Sequence, residues 1–270
     1  MIIQQKSSPQ IWQFDSLSKE KGIKHFVSTR TGGVSQEQLS SLNLSFSVGD
    51  IEENVWENRR RLAHTIKIAP ERLCFSNQVH GNTVKYISEQ EAMDSKNLKN
   101  YLKETDASFT DVKGLCLCSM AADCVPILFY VPQKQVIGVA HAGWRGTVGK
   151  IAQKTALGII QKFQCQPTEI LVGIAPSISP QVYEVGKEVI EVVESAFGNK
   201  EGLILNERKN EGKGYFDLWE ANKRQLTEIG IPLSNIDISG ICTFQNSETF
   251  FSARKNFGGG GRFAAGLYLM

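Results

Sequence analysis

The sequence predicts an α+β fold, a single domain whose sheets are mixed, with helices packed outside. Three observations predict it. Runs of strand length, alternating or wholly apolar, outnumber the helical patterns, of which there are only about four. The helices fall at irregular intervals, which excludes a regular βαβ array. No linker, composition break or internal repeat divides the 270 residues, so 1–270 reads as one unit with a peripheral N-terminal stretch of about 20 residues. With 41% apolar residues and 24 glycines the composition is near the globular average. A chain of this length builds a core without disulfide or metal staples.

In order along the chain, residues 24–30 (KHFVSTR) alternate and run into TGGVS, a strand entering a Gly-Gly turn. After NLSFSVGD comes a helix with Asp50 as N-cap, Glu53 three residues on, and Val55, Arg59 and Leu62 at helical spacing. Residues 71–87 read as two short strands around a His-Gly-Asn turn, and 89–105 as a polar helix or loop. Apolar strands follow at 106–110, 114–120 and 126–143, the last broken by a turn near Pro132. From Thr147 to Phe163 the pattern is helical, capped by Gly146 or Thr147. EILVGIAPSI is a strand, 184–196 a helix, NERKNEGKG a polar separator and FDLWEANKRQLTEIG a helix. The chain ends in strand-like IDISGICTF and ETFFSARK, a GGGG turn and RFAAGLYLM. No helical pattern follows GGGG, so it reads as a hairpin turn rather than a phosphate cradle.

Thirty basic residues against 28 acidic ones leave a formal charge of +2, which argues against a polybasic nucleic-acid binder. No apolar run approaches the roughly 18 residues that span a bilayer. The start, MIIQQKSSPQIWQF, has neither the basic nor the apolar region of a signal peptide. The expectation is a cytoplasmic protein with neither nucleic acid nor membrane as partner. The six cysteines form no regular framework and no CxxC. Cys116 and Cys118, two apart on a strand, share one face and read as core.

Histidine is scarce, at positions 25, 64, 80 and 141. His80 sits in a turn (SNQVHGN), His141 where an apolar strand ends in small residues (VAHAGWRG), and Cys124 at a strand edge before a proline (AADCVP). Functional side chains gather at such loops and strand ends. Two imidazoles and a thiolate suit zinc or copper and leave one tetrahedral position open, the mark of a catalytic site. Spacings of 44 and 17 residues match no local zinc pattern, however. A buried cysteine with two hydrogen-bonded histidines accounts for the same residues, as does a Cys124–His141 nucleophile and base pair. Arg145, four residues past His141 and just ahead of a helix, is a candidate anion-binding group, or else an ordinary surface ion pair. Asp123 faces away from Cys124 if that stretch is extended. Arg59, Arg60 and Arg61 read as a solvated helix face, and Asp106 as a ligand-orienting group or a turn cap.

The blocks STRTGGVS, LNLSFSVGD, NQVHGN, TDASFT, ADCVPILFY, AHAGWRG, YEVG, FDLW, ICT, FFSARK and GGR, in that order, resemble the YfiH-like laccase-domain (polyphenol oxidase) family from about residue 24 to the C-terminus. Ala253 and the glycine-rich NFGGGGR depart from its usual pattern. The resemblance implies an α+β fold, a single-domain mixed β-sheet sandwich flanked by helices, similar to the catalytic domain of the cytotoxic necrotizing factor deamidases. It implies zinc, or sometimes copper, bound by His80, Cys124 and His141. It implies a purine nucleoside phosphorylase acting on adenosine, inosine and methylthioadenosine with phosphate, with adenosine deaminase activity, as monomer or homodimer. Cys124, His141 and Arg145 are then the candidate catalytic residues. The HxE and PCxxC pattern of zinc deaminases is absent, so deamination would need another proton shuttle. A copper-dependent polyphenol oxidase and a Cys-His hydrolase are the alternatives. Four histidines, with only Met120 near as an axial ligand, argue against the former.

Overall fold

The computed structural model describes residues 2–4 and 8–270. Among these, the strands in chain order are β1 (Ile2–Gln4), β2 (Ile11–Phe14), β3 (Ile23–Ser28), β4 (Leu73–Phe75), β5 (Val84–Ile87), β6 (Ala107–Thr110), β7 (Cys116–Ala121) and β8 (Val125–Val131). They continue as β9 (Val136–Ala142), β10 (Leu171–Ile174), β11 (Glu184–Gly186), β12 (Ile204–Arg208), β13 (Lys213–Phe216), β14 (Ile236–Ile238) and β15 (Phe263–Leu269). The helices are α1 (Asp15–Ser18), α2 (Glu52–Ile66), α3 (Glu89–Met93), α4 (Ser95–Tyr101), α5 (Trp144–Val148), α6 (Ile151–Phe163), α7 (Lys187–Phe197) and α8 (Leu218–Glu228).

Two six-stranded mixed sheets form, in the orders β1-β2-β3-β15-β7-β4 and β14-β10-β8-β9-β6-β5. Each is antiparallel in its centre and gains a parallel strand at an edge, β4 on β7 in the first and β5 on β6 in the second. Leu117, Ala265 and Leu267 of the first sheet pack in one cluster with Leu128, Tyr130, Ile137 and Val139 of the second, so the sheets stack face to face. The outer face of the second sheet (Ile127, Phe129, Ala140) packs on Ala152 and Ile159 of α6, Val189 and Val193 of α7, and Leu226 of α8. Phe26, Cys118 and Ala264 on the outer face of the first lie under Leu62 and Ile66 of α2. Four layers result. Covered on both faces, all seven residues of β8 and all seven of β9 are buried, which explains their unbroken apolar runs. None of the helices among the described residues is long and apolar enough to cross a membrane.

Several local expectations change. Ile51, not Asp50, is the N-cap of α2. The Asp50 carboxylate is used instead across the preceding loop, accepting from Ser35 Oγ (2.6 Å) and Asn43 Nδ2 (2.7 Å). The helix expected from Thr147 breaks in two at Gly149 and Lys150, the latter in the left-handed region, and α5 is capped by Gly143 rather than by Gly146 or Thr147. NERKNEGKG is not a separator but part of an antiparallel β12–β13 pair. ETFFSARK is no strand, so GGGG closes no hairpin. Phe250 and Phe251 are fully buried there, and their burial satisfied the apolar pattern without a ladder. Within the first 20 residues, expected to be peripheral, β2 pairs with β3, and Phe14 and Leu17 are buried. Arg59 leaves its two neighbours. They reach Glu57, while Arg59 lies over the rings of Phe46 and Phe75 and donates to Leu44 O. Cys116 and Cys118 are core, as their shared face predicts.

The topology also sets up a site. β4 and β5 belong to different sheets, as do β7 and β8, so the chain crosses between the sheets at residues 76–83 and again at 122–124. The first crossing carries His80, and the second carries Cys124.

Candidate metal centre

Each residue of the NQVHGN crossing is anchored. Asn77 pairs through its backbone with Leu102 O and Thr105 N. The Gln78 side-chain amide docks on the Met120 backbone, accepting from its N–H and donating to its carbonyl, both at 2.8 Å. The next three backbone N–H groups, of Val79, His80 and Gly81, donate to the carboxylate of Asp106 at 3.1, 3.0 and 2.8 Å. Successive N–H groups of this kind make an anion-binding hollow, here filled by the protein's own carboxylate. His80 holds φ +60°, a left-handed conformation that histidine tolerates better than most residues.

The same Asp106 accepts from His141 Nδ1 at 2.8 Å. A carboxylate only accepts, so Nδ1 carries the proton and Nε2 is left for whatever lies beyond. His141 is buried near the end of β9, opposite Pro126 of β8, and its own N–H donates to Asp106 O at 2.7 Å. One carboxylate therefore fixes the ring of one histidine and the loop of the other.

Donor atoms of His80, Cys124 and His141 lie within 4.8 Å of one another. The sequence candidates thus converge, although 44 and 17 residues separate them in the chain. The two imidazole rings meet edge to face at 4.9 Å. The glycines of HAGWRGTVG allow this approach. A Cβ on Gly143 would sit 3.0 Å from Cys124 Sγ and 3.1 Å from His80 Cδ2. One on Gly146 would meet Gly81 O at 2.9 Å, and one on Gly149 would meet Asn82 Nδ2 at 2.6 Å. Spaced by three, these glycines leave room for the His80 loop.

Burial alone would keep the Cys124 thiol protonated, but the adjacent His141 and His80 outweigh it and bring its pKa down to about 6. Burial likewise disfavours a charged His141, yet Cys124 and Asp106 raise it to about 9. Without a metal, each of the two groups therefore favours the charged form of the other. Burial pushes Asp106 upward, but His141 and the loop N–H groups hold it below the usual carboxylate range.

Asp123 is not a partner of Cys124. At φ +98° it turns its carboxylate to Thr243 Oγ1 (2.7 Å) and the Arg254 N–H (2.6 Å), tying the crossing to the walls of a cleft. That cleft, of about 420 Å³, is lined by Asp123, Ile178, Tyr183, Ala253, Arg254, Phe257 and Gly258. Tyr183 is pushed well up by burial, then by the charges of Cys124 and Asp123, against Arg254 and Arg145. Arg262 is lowered by burial against the pull of Cys124 and Asp123. Arg145 is exposed on α5, its guanidinium 4.4 Å over the Trp144 ring. Only five residues long, α5 is too short to lend Arg145 a helix terminus of any strength, contrary to the expected long helix. Tyr183, Arg254, Arg262 and Phe257 were not singled out by residue type. YEVG, FFSARK and GGR were the only signal for the first three.

Against known proteins, the family model described as multi-copper polyphenol oxidoreductase laccase matches residues 24–270. The chain belongs to this laccase family. A purine nucleoside phosphorylase of Bacteroides thetaiotaomicron is 35% identical over 257 residues, 95% of each chain. The adenosine deaminase RL5, from an unknown prokaryotic organism, is 32% identical over 95% of this chain and 97% of its own. The crystal structure of the Bacillus licheniformis hypothetical protein YfiH superposes with a TM-score of 0.90 at 29% identity, covering 99% of both chains. The α+β architecture is thus that of this laccase family.

Proposed function

We propose that this chain is a cytoplasmic, zinc-dependent purine nucleoside phosphorylase that cleaves adenosine, inosine and methylthioadenosine with phosphate and also deaminates adenosine. One observation carries the reading. His80, Cys124 and His141 bring their donor atoms within 4.8 Å of one another, in a chain whose relatives bear both activities as names. The donor set, two imidazoles and a thiolate whose pKa is already lowered, fits a single zinc or copper ion with one position left open. The orientation of His141 by Asp106 is what such a ligand requires.

A multi-copper centre does not fit. His25 is buried and accepts the Phe14 N–H at 2.9 Å, and His64 is exposed on α2, so neither joins the cluster. Met120 packs with Phe26 and Cys118 under α2, and Met93 and Met270 are exposed, so among the described residues no thioether is set for the axial position of a blue-copper site.

A bound ion supplies Lewis acidity and a water of lowered pKa. The rest falls to the chain. In phosphorolysis a phosphate oxygen bonds to the sugar carbon as the glycosidic bond breaks, and the electron pair leaves with the purine. Arg145, steadied over Trp144, offers its guanidinium to the phosphate. Tyr183, held protonated by burial, offers a hydroxyl donor at the cleft.

One observation favours a second reading. Asp106, His141 and Cys124 also stand in the order of an orienting acid, a base and a nucleophile, as a Cys-His hydrolase needs. The test is incubation of the purified protein with adenosine, with and without phosphate, followed by chromatography. Adenine formed only with phosphate supports phosphorolysis, and inosine in both samples supports deamination. His80→Ala separates the readings. Folded protein that has lost zinc and activity supports the metal centre, whereas full activity after chelation and in His80→Ala overturns it.

A further inference from the structure

Phe257 is 99% exposed, and its backbone holds φ +51°, a region an aromatic residue rarely adopts. The loop that presents it is nonetheless built. Gly258 N–H donates to Ala253 O at 2.7 Å, Asn256 N–H to Ser252 O at 3.2 Å, and Gly259 N–H to Asn256 O at 2.9 Å. The Arg262 guanidinium closes it by donating to Gly260 O and Gly261 O at 2.8 and 3.0 Å. Gly258 and Gly260 take φ +95° and +89°, where other side chains would be strained. A phenyl ring left in water gains nothing for the fold. A built loop in an unfavourable conformation holds this ring against the cleft lining, free to meet an occupant.

The cleft states the occupant's chemistry. At about 420 Å³ it falls in the range of small-molecule sites. Its lining includes Asp123, the chain neighbour of Cys124, and Tyr183, which feels the charge of Cys124. Ile178 and Ala253 make apolar wall, Ala253 leaving space by its small size, and Tyr183 adds a second aromatic ring with Arg254 over it at 5.2 Å. The exposed face of Phe257, with the Tyr183 hydroxyl and the Arg254 guanidinium nearby, suits a flat, polar-edged ring.

We propose that this cleft is the base subsite and that Phe257 stacks on the purine of the nucleoside. The inference rests on the proposed function for the identity of the ring. Removing one stacking partner weakens base binding by about tenfold.

The test measures equilibrium binding of adenosine and, separately, of inorganic phosphate by calorimetry, for the wild type and for Phe257→Ala and Phe257→Trp. Adenosine affinity should fall about tenfold in Phe257→Ala and return in Phe257→Trp, with phosphate affinity unchanged. In turnover, the KM for nucleoside should rise by a similar factor while kcat changes far less. Equal adenosine affinity in all three proteins overturns the proposal, as does an equal loss for phosphate, which would mean a disordered loop. Loss of self-association in Phe257→Ala with nucleoside binding intact assigns the ring to a protein contact and also overturns it. Phe257-dependent adenosine binding without phosphate-dependent release of adenine sustains the subsite and refutes the phosphorylase reading.

Discussion

Asp106→Asn replaces one oxygen and one charge at the point where the two halves of the candidate metal centre meet. Four hydrogen bonds end on this carboxylate. His80 N and His141 Nδ1 donate to Oδ1, and Val79 N and Gly81 N donate to Oδ2. An asparagine keeps one acceptor oxygen, so it serves one pair and turns its amino group on the other. If the oxygen stays with His141, the N–H groups of Val79 and Gly81 face a donor, and the loop carrying His80 is released. If it turns to the loop, Nδ1 of His141 must become an acceptor, and the proton moves to Nε2, the nitrogen on the cluster side. Either orientation damages one of the three donors. Bonds to a charged acceptor contribute about 1.5–3 kcal/mol each; the first orientation loses two, and the second loses the one from His80 N and reverses the one to His141. Part of that appears as lower stability of the metal-free protein. The rest appears as zinc affinity reduced about 10- to 100-fold, equivalent to about 1.4–2.7 kcal/mol. Competition for zinc against a chromophoric chelator, with circular dichroism as the control for folding, measures it. Wild-type zinc affinity in a folded Asp106→Asn protein would refute the claim that one carboxylate positions both histidines.

Further outcomes are expected. Gly143→Ala, whose φ of −70° suits alanine, should fold normally, yet its Cβ crowds Cys124 Sγ and His80 Cδ2 and should lower zinc affinity by about 1–3 kcal/mol in the same competition assay. In metal-free protein the ultraviolet absorbance of the Cys124 thiolate should fall with a midpoint at about pH 6, and His141→Ala should move that midpoint up toward the ordinary thiol value of 9.0. The stability contribution of Cys124 is lost as pH falls from 9.0 to about 6 and that of His141 as pH rises from 6.5 to about 9, so this pair alone leaves stability nearly flat between those limits. Burial pushes His25 down to about 4, so its neutral form stabilises the fold above pH 6.5 and about 3 kcal/mol is lost as pH falls through 4, a slope that His25→Gln should abolish in urea titrations. Arg145→Ala should raise the KM for phosphate roughly tenfold and that for nucleoside far less, whereas equal effects would make it a structural residue.

The sequence by itself determined the layers, because burial on one face or two is written directly into spacing. β8 and β9 show as continuous apolar runs, and α6 and α8 show as helical stripes, since their environments are set by residues close in the chain. His80 was legible as an unusual residue type at a turn, and Cys124 and His141 at strand ends, and the motif order assigned them together. Tertiary structure alone decided what those residues meet. That β4 and β5 lie in different sheets is a matter of long-range pairing, which local pattern does not encode, and it is this crossing that carries His80 to Cys124. ETFFSARK reads as strand-like, but Phe250 and Phe251 spend their apolar surface on the core from a loop. Asp106 could be read as either an orienting group or a turn cap, and the fold makes it both. A carboxylate has two oxygens, and only the packing of β6 against β9 and the 76–83 crossing brings a donor to each side of them.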